Sequence, residues 1–449
     1  MSVRRALTGR ALACVVGLAL ASVTARSQGL ASRASESAGP AARADSTARL
    51  SLEQVERAAL DSNPGLRVAL LDVAAVRRDV VTAGLRPNPW LVVTGDVFGP
   101  GGVALQPSAN QWGLSLQVPL ELGAKRQRRS DVAEAVYSTS RLLLADSARR
   151  VLLVVRLAFY DVQAADQGLI LAQRNVDLYA RLVALDQSRL EQKQISGAEL
   201  SRAVLARAQS DLARDLAELQ LLKAQDALGL ALGQRRRLAA RDTLATIARA
   251  PAPLAALEAQ ALRERPDVLA GRALRRSAGA NVRLQEANGV ISPTVGVDFV
   301  SQQGQPSYGV SGTVPLALFN RNQGERSKAV VRQDQADRTM RAVELLALTD
   351  VRSAWSEFET RRVALSRFTT GGAEGILARA QAVLESTQYA YRAGGVSLLE
   401  FLDAVRTFAD ITRAYVDAVT AYNKSVATLD AASGADTARL LPLASVDAP

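Results

Sequence analysis

Residues 130–194 read SDVAEAVYSTSRLLLADSARRVLLVVRLAFYDVQAADQGLILAQRNVDLYARLVALDQSRLEQKQ. No proline occurs between Pro119 and Pro251, and Gly168 is the only glycine between Gly123 and Gly197. From Leu144 an alternating four-and-three spacing passes through Ala148, Val151, Val155, Ala158, Val162, Ala165, Leu169, Ala172, Val176, Tyr179, Val183, Asp186 and Leu190. Asp186 alone breaks this apolar stripe, so the period is that of a coiled coil. A second seam runs through Leu153, Leu157, Tyr160, Ala164, Leu171, Leu178 and Leu185. The stretch is therefore expected to be one uninterrupted helix with neighbours on two sides. At a rise of ~1.5 Å per residue it spans roughly 95 Å, far beyond an ordinary domain.

Working outward, the chain shows one programme played twice. A short helix ends near Asn63-Pro64, because the residue before proline disfavours helix, and a second helix follows to about residue 86. Residues 90–98 and 111–118 are β-rich, and the second strand alternates cleanly, with Trp112, Leu114, Leu116 and Val118 on one face. The first strand is undecided between Leu91, Val93, Val97 and Val92, Thr94, Asp96. After Pro119 come the long helix, a turn at Ile195-Ser196-Gly197, and a return helix from about 198 to 232 with an alanine seam. The second copy repeats the marks. Arg265-Pro266 answers Asn63-Pro64, Val314-Pro315-Leu316 answers Val118-Pro119-Leu120, and Val396-Ser397 with Glu400 answers Ile195-Ser196 with Glu199.

Strands are expected at 294–301 and 308–314, and a second hairpin tip at Gly394-Gly395-Val396-Ser397. The second copy is longer, and the surplus falls at residues 369–375, where Thr-Thr-Gly-Gly-Ala-Glu-Gly should interrupt its long helix. The expected organisation is a first repeat over 51–233, a linker over 234–253, a second repeat over 254–434 and a tail over 435–449.

The start reads as a secretory signal over residues 1–25: Arg4, Arg5 and Arg10, then a short apolar run, then Val23-Thr24-Ala25. Residues 26–50 are a flexible leader with almost nothing to bury. Cys14 lies within the signal, so the mature chain has neither cysteine nor histidine, which excludes cysteine- or histidine-based zinc sites. Losing the three arginines lowers the formal charge from +11 to +8. The remaining arginines stand beside acids as solvated helix faces do, so nucleic acid is not the expected partner. There is no Gly-rich phosphate loop, no nucleophile elbow and no histidine base, so neither an enzyme nor a cofactor is expected.

Four strands of about nine residues match tilted membrane-spanning strands in length, but a membrane barrel needs at least ~8 strands. Copies of the chain would have to pool them. Trp90, Phe98, Trp112 and Tyr308 stand near strand ends, as interfacial aromatics do. The cluster Lys125, Arg126, Arg128, Arg129 follows the second strand, as Arg321 and Arg326 follow the fourth. Both groups read as headgroup-level cations or as a solvated helix start. A soluble β-patch capping a coiled coil is the other reading of the strands.

The segment from Leu52 to Asn63-Pro64, the two Val-Pro-Leu motifs, Phe319-Asn320-Arg321-Asn322-Gln323-Gly324, and the run from Tyr391 through Gly394-Gly395-Val396-Ser397 to Glu400 resemble the TolC-type outer-membrane factor family. The likeness spans about residues 51–434. The block from Val314 to Gly324 looks most like the branch serving heavy-metal (cobalt–zinc–cadmium type) efflux.

The resemblance implies a mostly helical fold with a small β part: a long helical-hairpin barrel joined to a shared membrane β-barrel of 12 strands, four from each chain of a homotrimer. It implies an outer-membrane exit duct reaching into the periplasm and working with a periplasmic adaptor and an inner-membrane resistance–nodulation–division pump. It implies that Glu400 and Asp403 face the bore as a constriction, and that the tips Ile195, Ser196, Gly197, Gly394, Gly395, Val396 and Ser397 meet the adaptor. A soluble periplasmic coiled-coil adaptor or structural protein is the alternative.

Overall fold

The computed structural model describes residues 48–95, 111–250, 252–302, 304–370 and 375–442. The signal, the leader up to residue 47, Phe98 and the last residues of the tail lie outside them. The long helix, α3 (Lys125–Glu191), has 67 residues. It begins five residues earlier than expected, so the basic cluster forms its first turn rather than a link before it. Every residue of the four-and-three stripe is buried or half-buried. Asp186 does not break the stripe; it is as buried as its apolar neighbours.

α3 is flanked by α4 (Gly197–Ala231) over its far half and by α2 (Pro64–Ala83) over its near half. A short α1 (Leu52–Ser62) precedes α2. The second copy has α5 (Leu254–Glu264), α6 (Pro266–Asn288), α7 (Gln323–Thr369), α8 (Ile376–Arg392) and α9 (Leu398–Ser433). Here the helix equivalent to α3 is two helices, α7 and α8, whose ends border the Gly-rich residues 369–375.

The stacking of short helices end to end is built by the same contact in each copy. At the end of α4, Gly233 takes φ +70, and a Cβ there would lie 2.2 Å from Cδ of Pro64. Only glycine allows both the left-handed turn and this approach. Asn63 then joins the two helices: its Oδ1 accepts from the amides of Gly65 and Leu66, and its Nδ2 donates to the Ala231 carbonyl at 3.0 Å. At the end of α9, Gly434 takes φ +77, and a Cβ there would lie 3.0 Å from the Arg265 backbone, a looser version of the same approach. The Arg265 guanidinium donates to Asp350 at 2.6 Å.

Two further pieces tie the middle. β1 (Ala48–Leu50) pairs in parallel with β4 (Leu238–Ala240). The end of the expected flexible leader is therefore a strand, held by the linker between the copies. Beside it, Arg156 donates to Glu56 at 2.6 Å and to both carboxylate oxygens of Asp436, while Arg439, from the short α10 (Thr437–Leu440), completes Glu56. The group is mostly buried, so each charge depends on its partners for what water would otherwise supply.

The strands form one antiparallel sheet in the order β2-β3-β5-β6: β2 (Trp90–Gly95), β3 (Gln111–Pro119), β5 (Thr294–Gln302) and β6 (Gln305–Thr313). Both central strands run nine residues, about 30 Å at strand rise. β6 starts earlier than the expected 308. The register decides the first strand: Leu91 pairs with Leu116 and Val93 with Leu114, so these two share the apolar face. Across the sheet that face continues through Val295, Val297 and Phe299 to Tyr308 and Val310. The other face carries Thr94, Ser115, Gln117, Asp298 and Ser311. One face apolar and largely exposed, the other polar, is the pattern of a sheet with lipid on one side and water on the other.

Candidate functional site

At the sheet, Trp112, Phe299 and Tyr308 form one aromatic patch on the apolar face. Ring centroids are 5.1 Å apart for the first pair and 5.4 Å for the second. The patch lies toward the ends of the strands remote from the helices, where β3 begins and β5 finishes. Phe299 was missed in the sequence because it lies inside its strand; only the register brings it beside the other two. Trp90 does not join them. It pairs with Gln117 and so lies on the polar face, at the helical end of the sheet. It stands at a strand end, but side-chain alternation from Leu91 and Val93 puts it on the face opposite Trp112 and Tyr308.

At the foot of the sheet the cluster's members have different tasks. The residue before α3, Ala124, is left-handed and supplies no side-chain cap, and cations in a first helical turn oppose the helix dipole. Arg126 Nε donates to the Gly84 carbonyl at 2.5 Å and Arg129 to the Leu85 carbonyl at 3.0 Å. They thus complete the C-terminal end of α2, where positive charge is favourable. Arg129 also pairs with Glu121, whose carboxyl it holds below its ordinary pKa. Arg128 pairs with Asp131 along its own helix at 3.3 Å.

At the opposite end the two hairpin tips share one geometry. α3 closes with Gln194 N–H on the Arg189 carbonyl and Lys193 N–H on that of Leu190; α8 closes with Gly395 on Ala390 and Gly394 on Tyr391. In both, the penultimate residue is left-handed: Lys193 at φ 60 and Gly394 at φ 80. Ser196 and Ser397 then begin α4 and α9 with full capping boxes, Glu199 and Glu400 reaching back to the serine amides at 2.8 and 3.1 Å. Glu400 therefore has a structural task within its own hairpin. Asp403 is exposed one turn further along the same face. Ile195 and Val396 are half-buried, while Gly197, Gly394 and Gly395 are exposed, the first two with open space around them.

The two hairpins are joined just behind the tips. The Tyr391 hydroxyl donates to Asp186 Oδ1 at 2.6 Å, and its ring stacks on Phe401 with centroids 5.3 Å apart. Arg189 also lies over that ring, at 4.9 Å from its centroid, and donates to the carbonyls of Tyr391 and Arg392. Leu182, Val183, Leu398 and Val405 pack around them. Asp186 is 0 % exposed and its Oδ2 has no hydrogen-bond partner among the described residues. Burial pushes its carboxyl above the ordinary range, Glu199 adds to this, and the Tyr391 hydrogen bond and Arg189 oppose it.

An acid whose folded pKa is raised stabilises the folded state while protonated. That contribution is lost as pH climbs from the ordinary carboxylate range through the raised value, and is flat above it. Hydrogen-exchange protection of the amides around 182–190 and 398–405 should therefore fall across that window, and Asp186→Asn should flatten the profile. A wild-type profile with no step there, or one that Asp186→Asn leaves in place, would contradict this role.

Comparison with known proteins agrees with this geometry. The family model "Outer membrane efflux protein" matches residues 55–234 and 257–435, one segment for each copy of the repeat. Among curated relatives, the cobalt-zinc-cadmium resistance protein CzcC of Cupriavidus metallidurans is 24% identical over 376 residues, covering 83% of this chain and 85% of that protein. The cation efflux system protein CusC of Escherichia coli K12 is 25% identical over 368 residues, covering 78% and 79%.

Solved structures share the fold. The CmeC outer membrane channel of Campylobacter jejuni aligns with TM-score 0.71 at 14% identity, covering 89% of this chain and 90% of that one. A CusC structure aligns with TM-score 0.70 at 19% identity, covering 86% and 93%. With both of its halves matched, the chain belongs to the outer membrane efflux protein family, TolC-like channels of the outer membrane that extend into the periplasm and catalyse no reaction.

Proposed function

We propose that three copies of this chain form the exit duct of a tripartite efflux system, a passive channel opened by a periplasmic adaptor and an inner-membrane resistance–nodulation–division pump. The observation that carries this reading is the sheet: four strands, one exposed apolar face, and strands β2 and β6 at its edges. Open edges in lipid leave backbone groups without partners. Three such sheets joined edge to edge give twelve strands and no edge, with Trp112, Phe299 and Tyr308 toward the outer rim. Arg126 and Arg128 then stand where the wall leaves the membrane on the periplasmic side. The names of CzcC and CusC favour metal cations as cargo.

At the inner end, Glu400 and Asp403 form the constriction. Three chains bring six carboxylates into one ring, which favours cations and hinders passage at rest. The same face of α9 carries Asp410 and Asp417 at seven-residue spacing from Asp403, and in a supercoiled helix that spacing keeps one side. Charge and cap are separable at Glu400. At Ser51 the capping box is completed by Gln54, so Glu400→Gln removes the charge and keeps the helix start. In planar bilayers, Glu400→Gln with Asp403→Asn should raise single-channel conductance severalfold and weaken cation preference. Unchanged conductance and selectivity would reduce these acids to a surface face.

The glycine tips receive the adaptor, whose own helical hairpin can approach them closely. A Cβ at Gly395 would meet only the Ala390 carbonyl, at an ordinary 3.6 Å, whereas Gly394 is left-handed and would be strained by any substitution. Gly395→Trp therefore tests the partner rather than the fold. Cells carrying the cognate adaptor and pump should lose metal export while the channel keeps its assembled mass; wild-type export by this variant would contradict docking at the tips.

A further inference from the structure

Where β6 hands over to α7, a cleft of about 360 Å³ opens between residues 288–292 and 315–322. Two cations border it, Lys125 from the first turn of α3 and Arg321 from the turn before α7. Lys125 Nζ donates to Ser292 Oγ at 2.7 Å, and Arg321 Nε to the Ala317 carbonyl at 3.2 Å. Among the described residues neither forms an ion pair. Glu121, whose carboxylate Lys125 also influences, is taken by Arg129. Lys125 thus holds a positive charge at a helix start, where the dipole disfavours it, and the nearby carboxylate of Glu121 is paired with Arg129.

The segment that supplies one wall of the cleft is apolar: Leu316 lines the cleft, and Leu318 and Phe319 follow it in the chain. Leu316 and Leu318 are well exposed, and Phe319 is 91% exposed, the most of any large apolar side chain among the described residues. This segment is neither strand nor helix, and it continues directly from β6, whose Tyr308 and Val310 belong to the apolar face of the sheet. Large exposed apolar groups are costly in water, and with cations beside them they suit an interface. Cations in a recess with an apolar ridge above them match an amphiphile with an anionic head.

We propose that this cleft binds the phosphate-bearing headgroup of an anionic phospholipid in the periplasmic leaflet, with its acyl chains along Leu316, Leu318 and Phe319. Lys125 and Arg321 contact the phosphate, and Ser292 orients the lysine. The site rests on the reading that the apolar face of the sheet meets lipid. It makes each chain hold lipid at the level where the barrel gives way to the helices. A free phosphate would satisfy the cations but leave the ridge uncovered, and the ridge decides between the two sources.

The test uses the full chain, assembled in non-ionic detergent, titrated with phosphatidylglycerol, phosphatidylcholine or glycerol 3-phosphate and followed by native mass spectrometry. Phosphatidylglycerol should be retained more tightly than phosphatidylcholine, and glycerol 3-phosphate not at all. Lys125→Gln with Arg321→Gln should weaken phosphatidylglycerol binding roughly thirtyfold, about fivefold for each cation, with assembled mass and bilayer conductance unchanged. Phe319→Ser should weaken it while leaving that mass intact.

Equal retention of the two lipids, undiminished retention in the double variant, or glycerol 3-phosphate binding as tightly as lipid would overturn the site. Loss of assembled mass in Phe319→Ser would assign the ridge to a neighbouring chain instead. A wild-type protein that conducts normally yet shows no lipid preference refutes the cleft alone; one that never conducts in bilayers refutes the membrane reading beneath it.

Discussion

A β-sheet in lipid must have no edge. Water is absent there, so each unpaired N–H or C=O costs several kcal/mol, about the worth of a whole buried side chain. This chain supplies four strands in the order β2-β3-β5-β6, with one apolar and one polar face. The polar residues Ser115, Gln117, Asp298 and Ser311 need water on their side, so a flat sheet in a bilayer is excluded as firmly as an open one. A closed wall around an aqueous bore meets both demands, and a single chain cannot build it. The demand for copies follows from the sheet alone, before any feature of the helices is considered.

The helices extend the sheet into a long element. Each copy of the repeat sets one long path beside two short helices stacked end to end, and the joints at Gly233 against Pro64 and Gly434 against Arg265 are the same device used twice. The two joints differ in chemistry. Asn63 bridges the first by hydrogen bonds, whereas Arg265 anchors the second by pairing with Asp267 and Asp350. The first long path is a single helix and the second is divided into α7 and α8. Near-equal lengths with unequal continuity place two chemically distinct tips at one end. The Arg189–Tyr391–Asp186 contact then couples them across hairpins that meet nowhere in sequence.

Much of this was legible in the residues. Periodicity exposed α3, the doubled Val-Pro-Leu and Val/Ile-Ser marks exposed the repeat, and Ser followed by Glu three places on exposed the helix starts. What stayed hidden was hidden for physical reasons. Asp186 looked like a break in an apolar stripe because periodicity cannot see Tyr391, 205 residues away, which satisfies one of its oxygens. Lys193 occupies the left-handed position that Gly394 fills in the other copy, and lysine carries no sign of that geometry. The side of Trp90 depended on a register that only pairing with β3 decides. The four cations near residue 126 looked like one patch, yet Arg126 and Arg129 are caps for α2 and only Lys125 faces the cleft near Arg321. Propensity and pattern report on local fit; they are blind to partners brought from far along the chain.

In the proposed assembly the membrane end closes only by pooling strands between chains, so the mass of the solubilised particle is the most direct test. Light scattering with separate accounting for bound detergent should return three chains for the protein part, and that state should persist on dilution. A particle of one chain of up to 47.6 kDa, folded and with its strands intact, would contradict the account.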